Sequence, residues 1–134
     1  MKSSNDSSHK LIIDHLKILS GLKLVYLFGS RADGSGSTNS DWDIAILCDQ
    51  ALGSKERWDL AQSLANELGV DIDLIDLLQA STVLQLEVVS KGICLFGEQN
   101  ITDVFETKVF SMYARLQESR SGIIEKFLGD IKNG

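Results

Sequence analysis

The string LVYLFGSRADGSGSTNSDWDIAILC, residues 24–48, constrains the fold of this 134-residue chain more than any other stretch. An apolar run of strand length (Leu24, Val25, Tyr26, Leu27, Phe28) stops at Gly29-Ser30. Ten polar residues, 31–40, follow, and a second apolar run opens with Asp41-Trp42-Asp43. Short apolar runs bounded by turn residues read as strand, turn, strand. Side chains two apart in a strand project from the same face, so Asp41 and Asp43 point one way and Trp42 the other. Two carboxylates held that close repel each other unless a cation sits between them. All-oxygen ligation suits magnesium, which keeps several waters and takes one or two carboxylates plus substrate phosphates. Gly29 omits the Cβ where a backbone must approach a phosphate closely, and Ser30 adds a hydroxyl and a backbone donor. A Gly-, Ser-, Asp- and Asn-rich loop between such flanks is a candidate functional loop, its plainer reading being a mobile surface connection.

The rest of the chain sets bounds on that site. Apolar residues make up 43% and charged residues 24%, the balance of a globular protein with a real core. A formal net charge of −6 argues against a polyanion as the main partner, because nonspecific nucleic-acid binding is built on phosphate neutralisation. No apolar run approaches bilayer length, and the N-terminal MKSSNDSSHK lacks the apolar centre of a signal peptide, so a cytoplasmic protein with no membrane partner is expected. Cys48 and Cys94 lie in apolar runs and read as buried reduced thiols. His9 and His15 have no metal-like spacing.

Taken in order, residues 1–8 read as a polar, frayed end. Ile12, Leu16 and Leu19 then give a helical spacing closed by Gly21. After the two strands, residues 55–68 read as a helix with Trp58, Ala61, Leu64, Ala65 and Leu68 on its buried face, Ser54 as its cap and Gly69 as its stop. Residues 70–77 alternate, with Asp71, Asp73 and Ile75 on one face and Val70, Ile72, Leu74 and Asp76 on the other. A strand interior disfavours three aspartates unless something uses them. Ser81 caps a helix ended by Gly92, and residues 93–96 form a short strand. A last helix over 101–130 carries Phe105, Val109, Met112 and Leu116 on one stripe, with an interruption at Gly122. That stripe covers the core or forms a partner-binding arm. The element order predicts an α+β fold: a small mixed β-sheet with helices packed mainly on one face, plus a C-terminal helix. One domain, 1–134, is expected, with its core over about 10–98 and a helical segment over about 100–132.

Gly29-Ser30, ten residues, then Asp41-x-Asp43 resembles the signature of the DNA polymerase β-like nucleotidyltransferase superfamily. The fuller string GSRADGSGSTNSDWDIAIL is most similar to the minimal nucleotidyltransferases, the small antitoxins paired with HEPN-domain toxins. Downstream, VDIDLIDLLQASTVLQLEVVSKGICLFGE is similar to the family's third-carboxylate strand and the helix and strand after it. The family pattern matches Asp73-Leu74-Ile75-Asp76-Leu77, which implies Asp73 as the third carboxylate, with Asp71 as the same-face alternative and Asp76 as a turn or cap residue. The resemblance implies a nucleotidyltransferase that uses two Mg2+ ions, with Asp41, Asp43 and Asp73 as metal ligands and catalytic groups. Gly29 and Ser30 would hold the outer phosphates, and Arg31 is either a triphosphate contact or an ordinary surface arginine. It further implies ATP as donor and a tyrosine hydroxyl of a cognate HEPN ribonuclease toxin as acceptor, AMP attachment silencing the toxin. The competing readings are an antitoxin that acts by binding alone and a transferase acting on a small molecule.

Overall fold

The computed structural model describes residues 2–29 and 41–133, with side chains described for 7–29 and 41–119. Among these residues the chain order is α1 (Lys2–Leu16), β1 (Leu22–Phe28), β2 (Trp42–Cys48), α2 (Ser54–Leu68), β3 (Ile72–Asp76), α3 (Thr82–Lys91), β4 (Ile93–Phe96) and α4 (Gln99–Asn133). The four strands form one mixed sheet in the order β3-β2-β1-β4. β1 pairs antiparallel with β2 and with β4, whereas β2 and β3 run parallel. No described helix is long and apolar enough to cross a membrane.

The mixed sheet and the C-terminal helix follow the sequence pattern, but the helices do not gather on one face. Every residue from Leu24 to Phe28 and from Ile44 to Cys48 is buried, so the two central strands need cover on both sides. Alternation divides them. Val25, Leu27, Trp42, Ile44 and Ile46 pack with Ile12 and Leu16 of α1 and Leu60 and Leu64 of α2. Leu24, Tyr26, Phe28, Ala45 and Leu47 pack with Val88 and Val89 of α3 and Phe105 and Val109 of α4. An unbroken apolar run cannot show period-two alternation, and it therefore signals cover on both faces.

Several local features depart from the sequence reading for identifiable reasons. α1 begins at Lys2 instead of leaving residues 1–8 frayed, and it ends at Leu16, short of Leu19. The cap of α2 is Gly53, not Ser54: the Gly53 carbonyl accepts the Arg57 N–H at 3.0 Å and no side chain caps the end. The face of α2 that meets the sheet is Leu60, Ala61 and Leu64, with Arg57 ahead of them donating to the Leu74 carbonyl at 3.1 Å. Trp58, one residue on and so about 100° round the helix, is 63% exposed instead of buried. Cys48 is buried, but Cys94 is exposed because it sits on the four-residue edge strand β4, where helix cover runs out. α4 runs through Gly122 without interruption. Its Phe105 and Val109 are core residues, while Met112 and Leu116 are exposed. Elsewhere the stops behave as their chemistry requires. Gly69 closes α2 in the left-handed region at φ 71°, and the Ser81 side chain accepts the Leu84 N–H at 3.1 Å to cap α3.

Candidate active site

Three strands deliver the candidate site to one end of the sheet. β1 ends at Phe28, which lies opposite Asp43 across the antiparallel ladder. On the other side of β2, Asp43 lies opposite Asp73 in the parallel register, and Trp42 opposite Ile72. Asp41 immediately precedes β2 and is exposed. Asp43 is half-buried, and Asp73 is exposed. Alternation carries Asp43 onto the sheet face covered by α3 and α4, with Ala45 and Leu47 behind it. Trp42 turns to the opposite face and is buried with Ile44 and Ile46. Its backbone N–H donates to the Asp71 carbonyl at 3.0 Å, which ties the entry of β2 to that of β3, and His9 of α1 meets the indole edge-on, ring centres 6.5 Å apart. The residue between the two carboxylates is thereby fixed from behind.

Gly29 occupies the left-handed region at φ 76°, and a Cβ placed there would collide with Oδ2 of Asp43. The glycine is required twice, by its backbone angle and by the carboxylate resting against its Cα. The Asp43 carboxyl is held above its ordinary proton affinity, first by burial and then by the negative charges of Asp73 and Asp41. Three acidic groups from two strands and their approach thus interact electrostatically.

The strand through 71–77 separates its aspartates by role. Asp76 is 4% exposed and faces away from Asp73; its Oδ2 accepts the Leu52 N–H at 2.8 Å and its Oδ1 the Leu78 N–H at 3.0 Å. One oxygen ties the β2–α2 connection to the end of β3 and the other closes the turn after it, so Asp76 is structural. Asp71 precedes the strand and its side chain is exposed, and Asp73 is the residue set directly across from Asp43. Ser30 and Arg31 lie outside the described residues.

Among the described residues no three His, Cys, Asp or Glu side chains converge into a closed metal cage. What this end of the sheet presents is a set of hard oxygen donors, with the proton affinity of Asp43 raised first by burial and then by its acidic neighbours. That donor set fits magnesium, which takes few protein carboxylates and completes its shell with water and substrate phosphate. Sequence reasoning did not find the close approach of Gly92, read there only as a helix stop. A Cβ at Gly92 would lie 3.4 Å from that of Phe28 and 3.2 Å from the Leu27 oxygen. A groove of about 600 Å³ between α3, α4 and the other end of the sheet, lined by Lys23, Leu47, Leu78, Gln85, Val104 and Phe105 among others, contains none of the three carboxylates. The chemistry-bearing residues lie at the opposite end of the sheet, away from this concavity.

With that geometry in view, comparison with known proteins is specific. The family model described as polymerase beta, nucleotidyltransferase, matches residues 10–101. The chain is 46% identical over 109 residues to the protein adenylyltransferase MntA of Shewanella oneidensis, covering 81% of this chain and 78% of that relative. A crystal structure of a toxin-antitoxin with AMP-PNP contains a chain of the same fold, with TM-score 0.82 and 44% identity over 90% of this chain and 98% of the other. A tri-AMPylated HEPN toxin of Shewanella oneidensis in complex with its MNT antitoxin gives a TM-score of 0.78 at 40% identity, over 92% of this chain and 98% of the matched one.

Proposed function

Because the chain belongs to the polymerase-β-type nucleotidyltransferase family, we propose that it is a cytoplasmic antitoxin enzyme that transfers AMP from ATP to a tyrosine hydroxyl of a partner HEPN toxin. The observation that carries the reading is the placement of Asp43 between Gly29 and Asp73, with Asp41 beside it at the mouth of β2. Relatives of high similarity supply the nucleotide and the acceptor, since one is seen with AMP-PNP and another beside a tri-AMPylated toxin.

Asp41 and Asp43 would hold the magnesium, with Asp73 as the third carboxylate ligand. Magnesium, when bound, neutralises charge on the attacking and leaving oxygens of an in-line displacement. Gly29 lets the backbone approach the outer phosphates, with Ser30 and Arg31 as the further phosphate contacts. The tyrosine oxygen attacks the α-phosphorus, an O–P bond forms, the bond from the α-phosphorus to the bridging oxygen breaks, and pyrophosphate leaves. The phenolic proton passes to the Asp73 carboxylate and on to solvent. Burial of Trp42 keeps Asp41 and Asp43 aimed to one side throughout, so the chain's main contribution is orientation.

The test is the intact mass of the partner toxin after incubation with this chain, ATP and magnesium, beside an Asp41→Asn/Asp43→Asn control. A gain of one or more AMP units with the intact chain and none with the control is the expected result. A stable complex with no mass gain under any nucleoside triphosphate would overturn the catalytic reading in favour of neutralisation by binding.

A further inference from the structure

The antiparallel register of β1 and β4 sets Leu27 opposite Ile93 and Tyr26 opposite Cys94. The ladder ends at the Leu27–Ile93 pair, and Gly92, which joins α3 to β4, packs against the end of β1: a Cβ on it would strike the Val88 carbonyl and touch both Leu27 and Phe28. Lys91 precedes Gly92 and Gly29 follows Phe28, so the two residues flank one close contact. Gly29 is in turn the residue on which the Asp43 carboxylate rests. α3 covers the same sheet face that Asp43 occupies, and Lys91 is its last residue. Of the described lysines and arginines, Lys91 is the one next in the chain to the glycine packed on Phe28, the residue before Gly29.

Its surroundings leave it available. The side chain is exposed, and its ammonium stands 3.2 Å from Glu87, one turn back on the same helix. An exposed pair of this kind is weak and readily exchanged for a more highly charged partner. The need for a cation here is also electrostatic. The C-terminus of α3 presents the negative end of the helix dipole toward the strand end where a polyphosphate would be gripped, and a basic residue in the last turn offsets it.

We propose that Lys91 binds the β- and γ-phosphates of the nucleotide, its ammonium leaving Glu87 for the polyphosphate held at Gly29. This rests on the nucleotidyl-transfer reading above. In that role it is a specificity residue: it favours a nucleoside triphosphate over a monophosphate, and it neutralises pyrophosphate as that group departs.

The experiment measures binding of AMP-PNP and of AMP, each with magnesium, to the intact chain and to Lys91→Gln, Lys91→Arg and Glu87→Gln. A charge-assisted contact of this type is worth roughly tenfold in affinity. Lys91→Gln should therefore weaken AMP-PNP about tenfold while changing AMP less than twofold, and Lys91→Arg should restore most of the loss. Glu87→Gln should bind AMP-PNP as tightly as the intact chain or tighter, because the ammonium is no longer shared. Equal AMP-PNP affinity for the intact chain and Lys91→Gln would overturn the inference alone, as would an equal loss for AMP and AMP-PNP. Failure of the intact chain to bind AMP-PNP would overturn the nucleotidyl-transfer reading and the inference with it.

Discussion

Asp43 illustrates a residue that the sheet places against its own preference. Burial and the charges of Asp73 and Asp41 all raise its proton affinity, so its charged form costs the fold stability that a cation can return. Asp43→Asn keeps the shape and removes the charge. Without magnesium and at neutral pH the variant should melt higher than the intact chain, while AMP transfer is lost. After allowance for solvent screening the gain is on the order of 0.5 kcal/mol, roughly 2 °C for a chain of this size. Thermal melts in a metal chelator check it, and a lower midpoint would mean that Asp43 makes a stabilising contact instead. At this scale the carboxylates were legible in part. Period-two alternation alone separates Asp41 and Asp43 from Trp42 and sets Asp73 apart from Asp76. Alternation cannot choose between Asp71 and Asp73, which share a face; that choice depends on the β2–β3 register, a long-range pairing that local sequence does not encode.

Between elements, a buried tyrosine links the sheet to the C-terminal helix. The Tyr26 hydroxyl, in the middle of β1 and 1% exposed, donates to Oε2 of Glu106 on α4 at 2.8 Å. Burial, followed by the Glu106 carboxylate, holds the phenol far above its ordinary value, so it stays a donor at all physiological pH. Tyr26→Phe should cost about 1 kcal/mol, with Glu106 partly rehydrating, and lower the melting midpoint by a few degrees while nucleotide affinity is unchanged. Denaturant unfolding at pH 7 measures this, and no loss would mean that apolar packing of Phe105 and Val109 alone seats α4. The elements were legible wherever a local rule decides them, as at Ser81, Gly69 and the strand of 24–28. They were not legible where tertiary contact decides. Trp58 falls within an apolar spacing yet points to solvent, because Leu60, Ala61 and Leu64 set the face and Arg57 reaches Leu74. Gly122 does not break α4, since one glycine costs a helix only about 1 kcal/mol.

For the molecule as a whole, the acidic edge links folding, protons and cation binding. A carboxyl whose folded value is raised binds protons more tightly in the folded than in the unfolded state, so its contribution to stability falls as pH rises above the ordinary 3.8 and through the raised value. Magnesium binds the deprotonated form and adds RT ln(1 + [L]/Kd), about 2.7 kcal/mol at one hundred times Kd. The two linkages have opposite sign with pH. At pH 4 protons already relieve the repulsion and magnesium has to displace them, so it should raise the melting midpoint little. At pH 7.5 fewer protons compete for Asp43 and the increment should be several-fold larger. Other acidic groups titrate over the same range, but the difference between melts with and without magnesium isolates those that bind it. In Asp41→Asn/Asp43→Asn that difference should be near zero at both values. An increment independent of pH, or one that survives in the double variant, would place the cation somewhere other than the mouth of β2 and with it detach the chemistry from the strand pair on which the fold is built.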